Sequence, residues 1–337
     1  MNDFAQSGLI TTLQRLSETH FPALEAELAA MGSAIALILP CHTADLDRPP
    51  LAHIIRELAE ARWLGEVLVS MNGPDRAATE RAAVLFAPLP CPFRVLWNEG
   101  GGKGENVASA LRAIGDEGKR RVVATQDCDV ASFRRHDLAR LCYPVAALGY
   151  DFAKAYYSRA TDRLYGRVTR LFLAPLLHAC VKVAGHQPLL DFLLSFRYPL
   201  AGEVALSTAC ARLLPIAPGW GLELAMLCDV FRHIDPRNVC QVDGGSGYDH
   251  KHQPATTALA EMTAHIAAEL FRQLAAEGMP ATAEFRQTIA EAYRREAAHA
   301  LRRSAALAQI NGLPYDSEVE KGTVEMFYER LLPRDHC

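Results

Sequence analysis

The chain has 337 residues, half of them hydrophobic, a net charge of -4 at neutral pH and a pI of about 6.3. That length and apolar content supply core enough for one large domain or a domain and a half. The mild acidity argues against a general nucleic-acid binder, which needs a basic face to neutralise phosphates.

Nine cysteines include no C-x-x-C pair and lie mostly in apolar runs, so they read as reduced core residues. The opening residues show no basic segment followed by an apolar block, and no apolar stretch reaches the roughly 18–20 residues of a membrane span. A cytoplasmic protein with no membrane and no nucleic-acid partner is expected.

In chain order, "SAIALILP" (33–40), "EVLVSMN" (66–72), "FRVLWNEG" (93–100) and "RRVVATQDCDV" (120–130) are short apolar runs ending in polar or turn residues, the pattern of buried parallel strands. Between them, "LAHIIRELAEARWLG" (51–65), "DRAATERAAVLFA" (75–87) and "GKGENVASALRAIGDEG" (102–118) carry helical spacing. This alternation predicts an α/β fold with a parallel sheet and ligands at the carboxyl ends of its strands. Further on, "DFAKAYYSRA" (151–160) reads as a strand, and "GRVTRLFLAPLLHACVKVAG" (166–185) as a helix starting at Arg167 that bends or breaks before Pro175. "SFRYPLAGEVAL" (195–206) reads as turn-rich, and "GWGLELAMLCDVFRHI" (219–234) as a glycine loop entering a helix.

After Pro254 three helical stretches are predicted, near 256–277, 282–311 and 315–331. The expected organisation is a catalytic domain over 1–255, with a helical segment at 1–32, and a mainly helical extension over 256–337. The stripe Leu259, Met262, Ile266, Leu270 and Leu274 is too apolar for a solvent-exposed tail, so part of this region is expected to join two subunits.

Asp127 and Asp129 form a D-x-D at the end of the predicted fourth strand. Residues two apart in a strand face one side, so both carboxylates are expected in one site and Cys128 away from it. Two acids so placed suit a hard divalent ion that also holds a diphosphate. In "EGGGKGEN" (99–106), glycines let the backbone approach a ligand, and Lys103 adds a point charge for phosphate at a strand-to-helix junction. The hydroxyl residue of a P-loop is missing.

In "YGRVTRL" (165–171) Arg167 and Thr169 offer a guanidinium, a hydroxyl and helix-start N–H groups to an anion. "SGYDHKHQP" (246–254) holds the histidine pair His250 and His252, an imidazole source for the metal begun by Asp129. Glu203 and Glu223 each follow glycines in a predicted cleft. Each feature has a plainer counterpart: solvated turn acids, a surface lysine, a capping threonine, loop histidines and helix-start acids favoured by the dipole.

The ordered set "QDCDV", "GGGKGENV", "GRVTRL", "YPLAGEVAL", "PGWGLELAML" and "DHKH" resembles the glucosyl-3-phosphoglycerate synthases, retaining glycosyltransferases of the GT-A fold, over roughly residues 33–255. The resemblance implies transfer of glucose from a nucleoside diphosphate donor, UDP- or GDP-glucose, to 3-phosphoglycerate, with Mg2+ or Mn2+ and a homodimer. Carried across, Asp129 and His250 ligate the metal, with Asp127 beside them. Pro40, Cys41, Asn72 and Lys103 line the nucleotide, together with Asp127, Gly202 and Glu203. Gly166, Arg167, Val168 and Thr169 hold the acceptor. Glu223 faces the sugar, and with Asp127 it is the candidate catalytic acid. No residue stands out as a covalent nucleophile, so the acceptor hydroxyl is expected to attack on the donor's own face.

The sequence departs from the family at two places. After the first strand the family shows Asn-Glu-Glu where this chain reads His42, Thr43, Ala44 and Asp45, which displaces the nucleotide-contacting acid to Asp45. His252 and Gln253 replace an asparagine and an arginine near the acceptor. A mannosyl donor and glycerate as acceptor stay open. A sugar-phosphate nucleotidyltransferase is disfavoured, because "PCHTADLD" lacks the glycines and basic residues such an enzyme carries after its first strand. A nucleotide-sugar sensor without catalysis keeps every motif and is separated only by assay.

Overall fold

The computed structural model describes residues 8–18, 20–32, 34–100, 102–117, 121–215, 221–245, 247–249 and 257–332. The chain divides into two compact units, the first within Met1–Ser158 and Ala201–Lys251, the second within Arg159–Leu200 and His252–Cys337.

In chain order the first unit holds β1 (Thr11–Leu13), α1 (Phe21–Ala30), β2 (Ile35–His42), α2 (Pro49–Ala59), β3 (Leu64–Asn72) and α3 (Ala78–Phe86). It continues with β4 (Phe93–Trp97), α4 (Lys103–Glu117), β5 (Val122–Thr125), α5 (Arg135–Ala147) and β6 (Phe152–Tyr156). α6 (Ala174–Ala184) and α7 (Pro188–Leu194) belong to the second unit. The chain then returns for β7 (Val204–Ser207), α8 (Thr208–Leu213), α9 (Leu222–His233) and β8 (Val239–Asp243), and closes in the second unit with α10 (Thr257–Ala276), α11 (Ala283–Ile310) and α12 (Ser317–Leu331).

Among the described residues the strands form one eight-stranded sheet in the order β1-β8-β6-β7-β5-β2-β3-β4. Only β7 runs antiparallel to its neighbours. β3 is buried at every residue and β2 at every residue but His42, as strands covered on both faces must be, and this explains their unbroken apolar runs. The chain steps from β2 to β3 and β4 on one side and then to β5 on the other. The crevice at the carboxyl ends of β2 and β5 is therefore a topological switch point, where open α/β sheets bind ligands.

The fourth predicted strand ends sooner than its sequence suggests. β5 stops at Thr125, whose Oγ1 donates to Gly202 O (2.6 Å), and the chain then turns, so Asp127 and Asp129 do not share a strand face. The turn-rich reading of 195–206 hides β7, four residues whose burial comes from β5 and β6 on either side. β1, β8 and α5 also lacked a local signal. The 1–32 segment, expected as helical, contributes a strand as well as α1, and Leu64, expected in a helix, opens β3.

In the second unit the helix begins at Arg167 and widens into a π-helical stretch, Val168–Leu173, ahead of Pro175 in the first turn of α6. Proline lacks an N–H, so the wider turn absorbs the break expected there. Phe172 packs against Phe327 (5.3 Å between centroids) and Tyr293 (6.0 Å), and the Tyr293 hydroxyl donates to Leu171 O (2.8 Å). The three predicted tail helices are α10, α11 and α12. Leu259, Ile266, Leu270 and Leu274 are buried within the chain, with α10 packed on α12, so that stripe is core rather than subunit surface. Among the described residues no helix is long and apolar enough to cross a membrane.

Candidate active site

The strand ends bring the expected donor residues to one edge of the first unit. Pro40 and Cys41 lie at the end of β2, buried Asn72 ends β3, and the turn after β5 carries Asp127, Cys128 and Asp129. Lys103 opens α4. That helix start is fixed by Asn98, whose amide donates to Ser70 Oγ (3.0 Å), Met71 O (3.3 Å) and Asn106 Oδ1 (2.8 Å). Ser70 Oγ in turn donates to Asn106 O (2.7 Å).

Lys103 Nζ bridges Asp127 Oδ1 (2.7 Å) and Glu223 Oε1 (2.9 Å), the latter from the first turn of α9. Burial works against the ammonium, but the two carboxylates outweigh it and hold its pKa well above the ordinary value. One cation between the acids is thus the chain's own. Gly202 sits against this bridge. A side chain there would run into Lys103 Nζ and meet both Asp127 carboxylate oxygens at 2.9 Å.

Glu203, next in sequence, is buried rather than open to the crevice. It accepts from Tyr157 Oη (2.9 Å), Gln126 Nε2 (3.3 Å) and Tyr248 Oη, and the two tyrosine rings stack at 3.6 Å. Burial, then Asp127, raises its pKa. Lys154 is 1 % exposed and donates to Ala201 O (2.6 Å), propping the Ala201–Glu203 turn from within. Burial brings its pKa down to about 8. No sequence motif assigns a role to Gln126, Tyr157, Tyr248 or Lys154. A lysine in an otherwise apolar strand was the one available signal.

Asp129 is pushed up to about 6 by burial, then by Asp127 and Asp45, against a smaller opposing pull from Lys103. Carboxylates crowded in this way, with oxygen as their only ligand atoms, fit a hard divalent cation, whose charge would favour the ionised carboxylate and so oppose the shift. Among the described residues no third ligand converges on Asp127 and Asp129. His250, the expected one, and His252 lie outside the described residues. Asp249, just before His250, is held beside this turn: its carbonyl accepts from Ala131 N (2.8 Å) and its N–H donates to Ser132 Oγ (2.9 Å). Cys128, expected to face away from acids, instead turns to Asp45, with 3.6 Å between Sγ and Oδ2, because the turn replaces strand alternation.

In the second unit Gly166 adopts φ +70°, a conformation natural to glycine, with Tyr198 Oη 3.3 Å from where a Cβ would stand. Arg167 Nε donates to Glu320 Oε1 (2.8 Å), and the same carboxylate pairs with Arg170 Nη2 (2.5 Å). Glu320 is 4 % exposed. It comes from α12, a distance in sequence that no local pattern reveals. Val168 follows in the π-helical stretch, and the Thr169 hydroxyl is buried with no hydrogen-bond partner among the described residues.

No protein-family model matches the chain. It is 34% identical to the glucosyl-3-phosphoglycerate synthase of Persephonella marina, over 98% of this chain and 89% of that protein. It is 29% identical to the synthase of Methanococcoides burtonii, over 70% of this chain and 64% of that protein. Among solved structures it resembles the Mycobacterium tuberculosis glucosyl-3-phosphoglycerate synthase bound to Mg2+ and UDP, with TM-score 0.63 and 25% identity, covering 81% of this chain and 88% of that one. The same mycobacterial fold is matched in its complex with Mn2+, UDP-glucose and phosphoglyceric acid, with TM-score 0.63 and 24% identity, covering 80% and 88%.

Proposed function

This chain belongs to the glucosyl-3-phosphoglycerate synthase family, and we propose that it transfers glucose from UDP-glucose to the hydroxyl of 3-phosphoglycerate with retention at the anomeric carbon. It is a glycosyltransferase. The bond from the anomeric carbon to the diphosphate oxygen breaks, the bond to the acceptor oxygen forms, the hydroxyl proton is lost and UDP leaves.

The observation that carries this reading is the Lys103 bridge between Asp127 and Glu223 at the switch point, beside a glycine where a side chain would displace the bridge. Pro40, Cys41, Asp45 and Asn72 line the nucleotide. Lys103 presents its charge to the diphosphate, Gly202 and Glu203 shape the sugar side of the donor pocket, and Glu223 faces the glucose. Bound Mg2+ or Mn2+ supplies positive charge to the departing diphosphate. Asp129 and Asp127 would hold the ion, with His250, next in sequence to the anchored Asp249, as the proposed third ligand.

Gly166, Arg167, Val168 and Thr169 take the acceptor, its phosphate meeting a guanidinium and the N–H groups of a helix start, and His252 is a further acceptor candidate by its sequence alone. Positioning of both substrates accounts for most of the rate gain, since no residue serves as covalent nucleophile. The catalytic domain is taken to run to about residue 255 and the helical region beyond it to support a cytoplasmic homodimer. Exposed Leu307 (53%) and Ile310 (84%) near the end of α11 support the dimer.

The decisive experiment mixes UDP-glucose, 3-phosphoglycerate and Mg2+ and follows UDP and glucosylated acceptor together. The expected result is equimolar release of both, abolished by excess EDTA and reduced roughly 10²–10³-fold in Asp129→Ala, the scale of losing one preorganised electrostatic contact. UDP release without glucosylated product, or full activity in EDTA, would sink the reading. Binding of UDP-glucose with no turnover would assign a sensor instead.

A further inference from the structure

We propose that Cys41, Asp45 and Cys128 form a binding site for a soft divalent ion of the zinc class, separate from the carboxylates of Asp127 and Asp129. Their ligand atoms all lie within 4.8 Å of one another, and no other cluster of three His, Cys, Asp or Glu ligands converges in this way among the described residues. A tetrahedral zinc with Zn–S of about 2.3 Å and Zn–O of about 2.0 Å separates a sulfur from an oxygen by about 3.5 Å. Cys128 Sγ and Asp45 Oδ2 are 3.6 Å apart.

The fold sets this spacing independently of any ion. β2 and β5 pair in parallel as far as Ile38 opposite Thr125, and the turn that follows β5 brings Cys128 to the end of β2, where Cys41 lies. Asp45 is brought back over them by the 3-10 turn Thr43–Asp45. Its Oδ2 accepts from His42 N (3.1 Å) and its Oδ1 faces Arg48 Nη1 (3.5 Å), which aims the carboxylate before any ligand arrives. Cys41 and Cys128 are 1% and 5% exposed, whereas the Asp45 side chain keeps 17%, so the cluster is shielded on the sulfur side and open on the carboxylate side.

Three protein ligands with one open position suit a thiophilic ion and suit Mg2+ poorly, because thiolates select soft cations and Mg2+ demands oxygen. Cys41 and Asp45 are also assigned to the donor nucleotide. On that reading, and resting on it, the ion and UDP-glucose exclude one another.

The test uses Cd2+ as a spectroscopically visible probe on the full-length chain, reduced, without nucleotide and in excess Mg2+. One Cd2+ per chain should bind with a thiolate-to-cadmium ultraviolet band. The band should be lost in Cys41→Ser and in Cys128→Ser, weakened at least tenfold in affinity in Asp45→Asn, and retained in Cys91→Ser. X-ray absorption on the unsubstituted chain needs no variant to fold and should show two sulfur ligands and an oxygen shell. No band, a band that survives the Cys41→Ser/Cys128→Ser double substitution, or an all-oxygen shell overturns the site. UDP should then displace the cadmium. Cadmium retained at saturating UDP overturns the exclusion and the placement of Cys41 and Asp45 against the donor, while the nucleotide-free measurement continues to support the metal site.

Discussion

At the scale of the residue, the site is an arrangement of charges whose balance can be altered one group at a time. The atoms nearest to where a Cβ at Gly202 would stand are side-chain ends, Lys103 Nζ and the two Asp127 carboxylate oxygens, rather than backbone. Gly202→Ala should therefore leave the melting temperature nearly unchanged while lowering kcat about a hundredfold, the typical effect of misplacing a catalytic group by about 1 Å. Steady-state kinetics beside a thermal melt checks both halves. Lys154 gives a pH signature. Its folded pKa, about 8, lies below the ordinary 10.5, so the folded chain binds fewer protons than the unfolded chain between those values. The penalty for burying the charge is fully present below pH 8 and fades as pH rises toward 10.5, worth about 3 kcal/mol in all. Urea denaturation at pH 7 and pH 10 should show the unsubstituted chain gaining about 2.5 kcal/mol on Lys154→Met, the remainder returning only as pH rises through 10.5.

At the scale of the element, α12 acts through one carboxylate. Glu320 answers two guanidiniums, and Arg170 is the deeper of them, its pKa lowered by burial. Glu320→Gln should cost about 3–5 kcal/mol by leaving a buried charge without its partner, measured by chemical denaturation. Arg167→Ala leaves the Arg170 pair in place and should be milder for stability. Its expected effect is a ten- to hundredfold rise in KM for 3-phosphoglycerate with the donor's KM unchanged, the loss of one charge-assisted contact at about 1.5–3 kcal/mol. Two-substrate kinetics with glycerate as the control lacking phosphate decides it. If glycerate serves as well in the unsubstituted enzyme, Arg167 does not hold a phosphate.

At the scale of the whole molecule, the dimer expectation moves from the α10 stripe, which the chain buries itself, to the exposed end of α11. Sedimentation should give a dimer at micromolar concentration and a monomer for Ile310→Glu; a monomeric unsubstituted chain removes the assembly from the proposal. The same contrast separates what was legible in the sequence from what was not. Apolar runs, glycine punctuation and helical spacing act between near neighbours, so β2, β3, the Lys103 helix start, the helix start at Arg167 and the three tail helices could be read from the sequence directly. The ordered motifs likewise identified the family. Hidden from it were β7 and β8, which are strands because their neighbours cover them, the turn that takes Asp127 and Asp129 off a common strand face, and every partnership formed at long separation. Lys103 meets Glu223, Cys128 meets Asp45 and Arg167 meets Glu320 only after the sheet and helices have closed, because burial, like-charge crowding and ion pairing depend on distance in space.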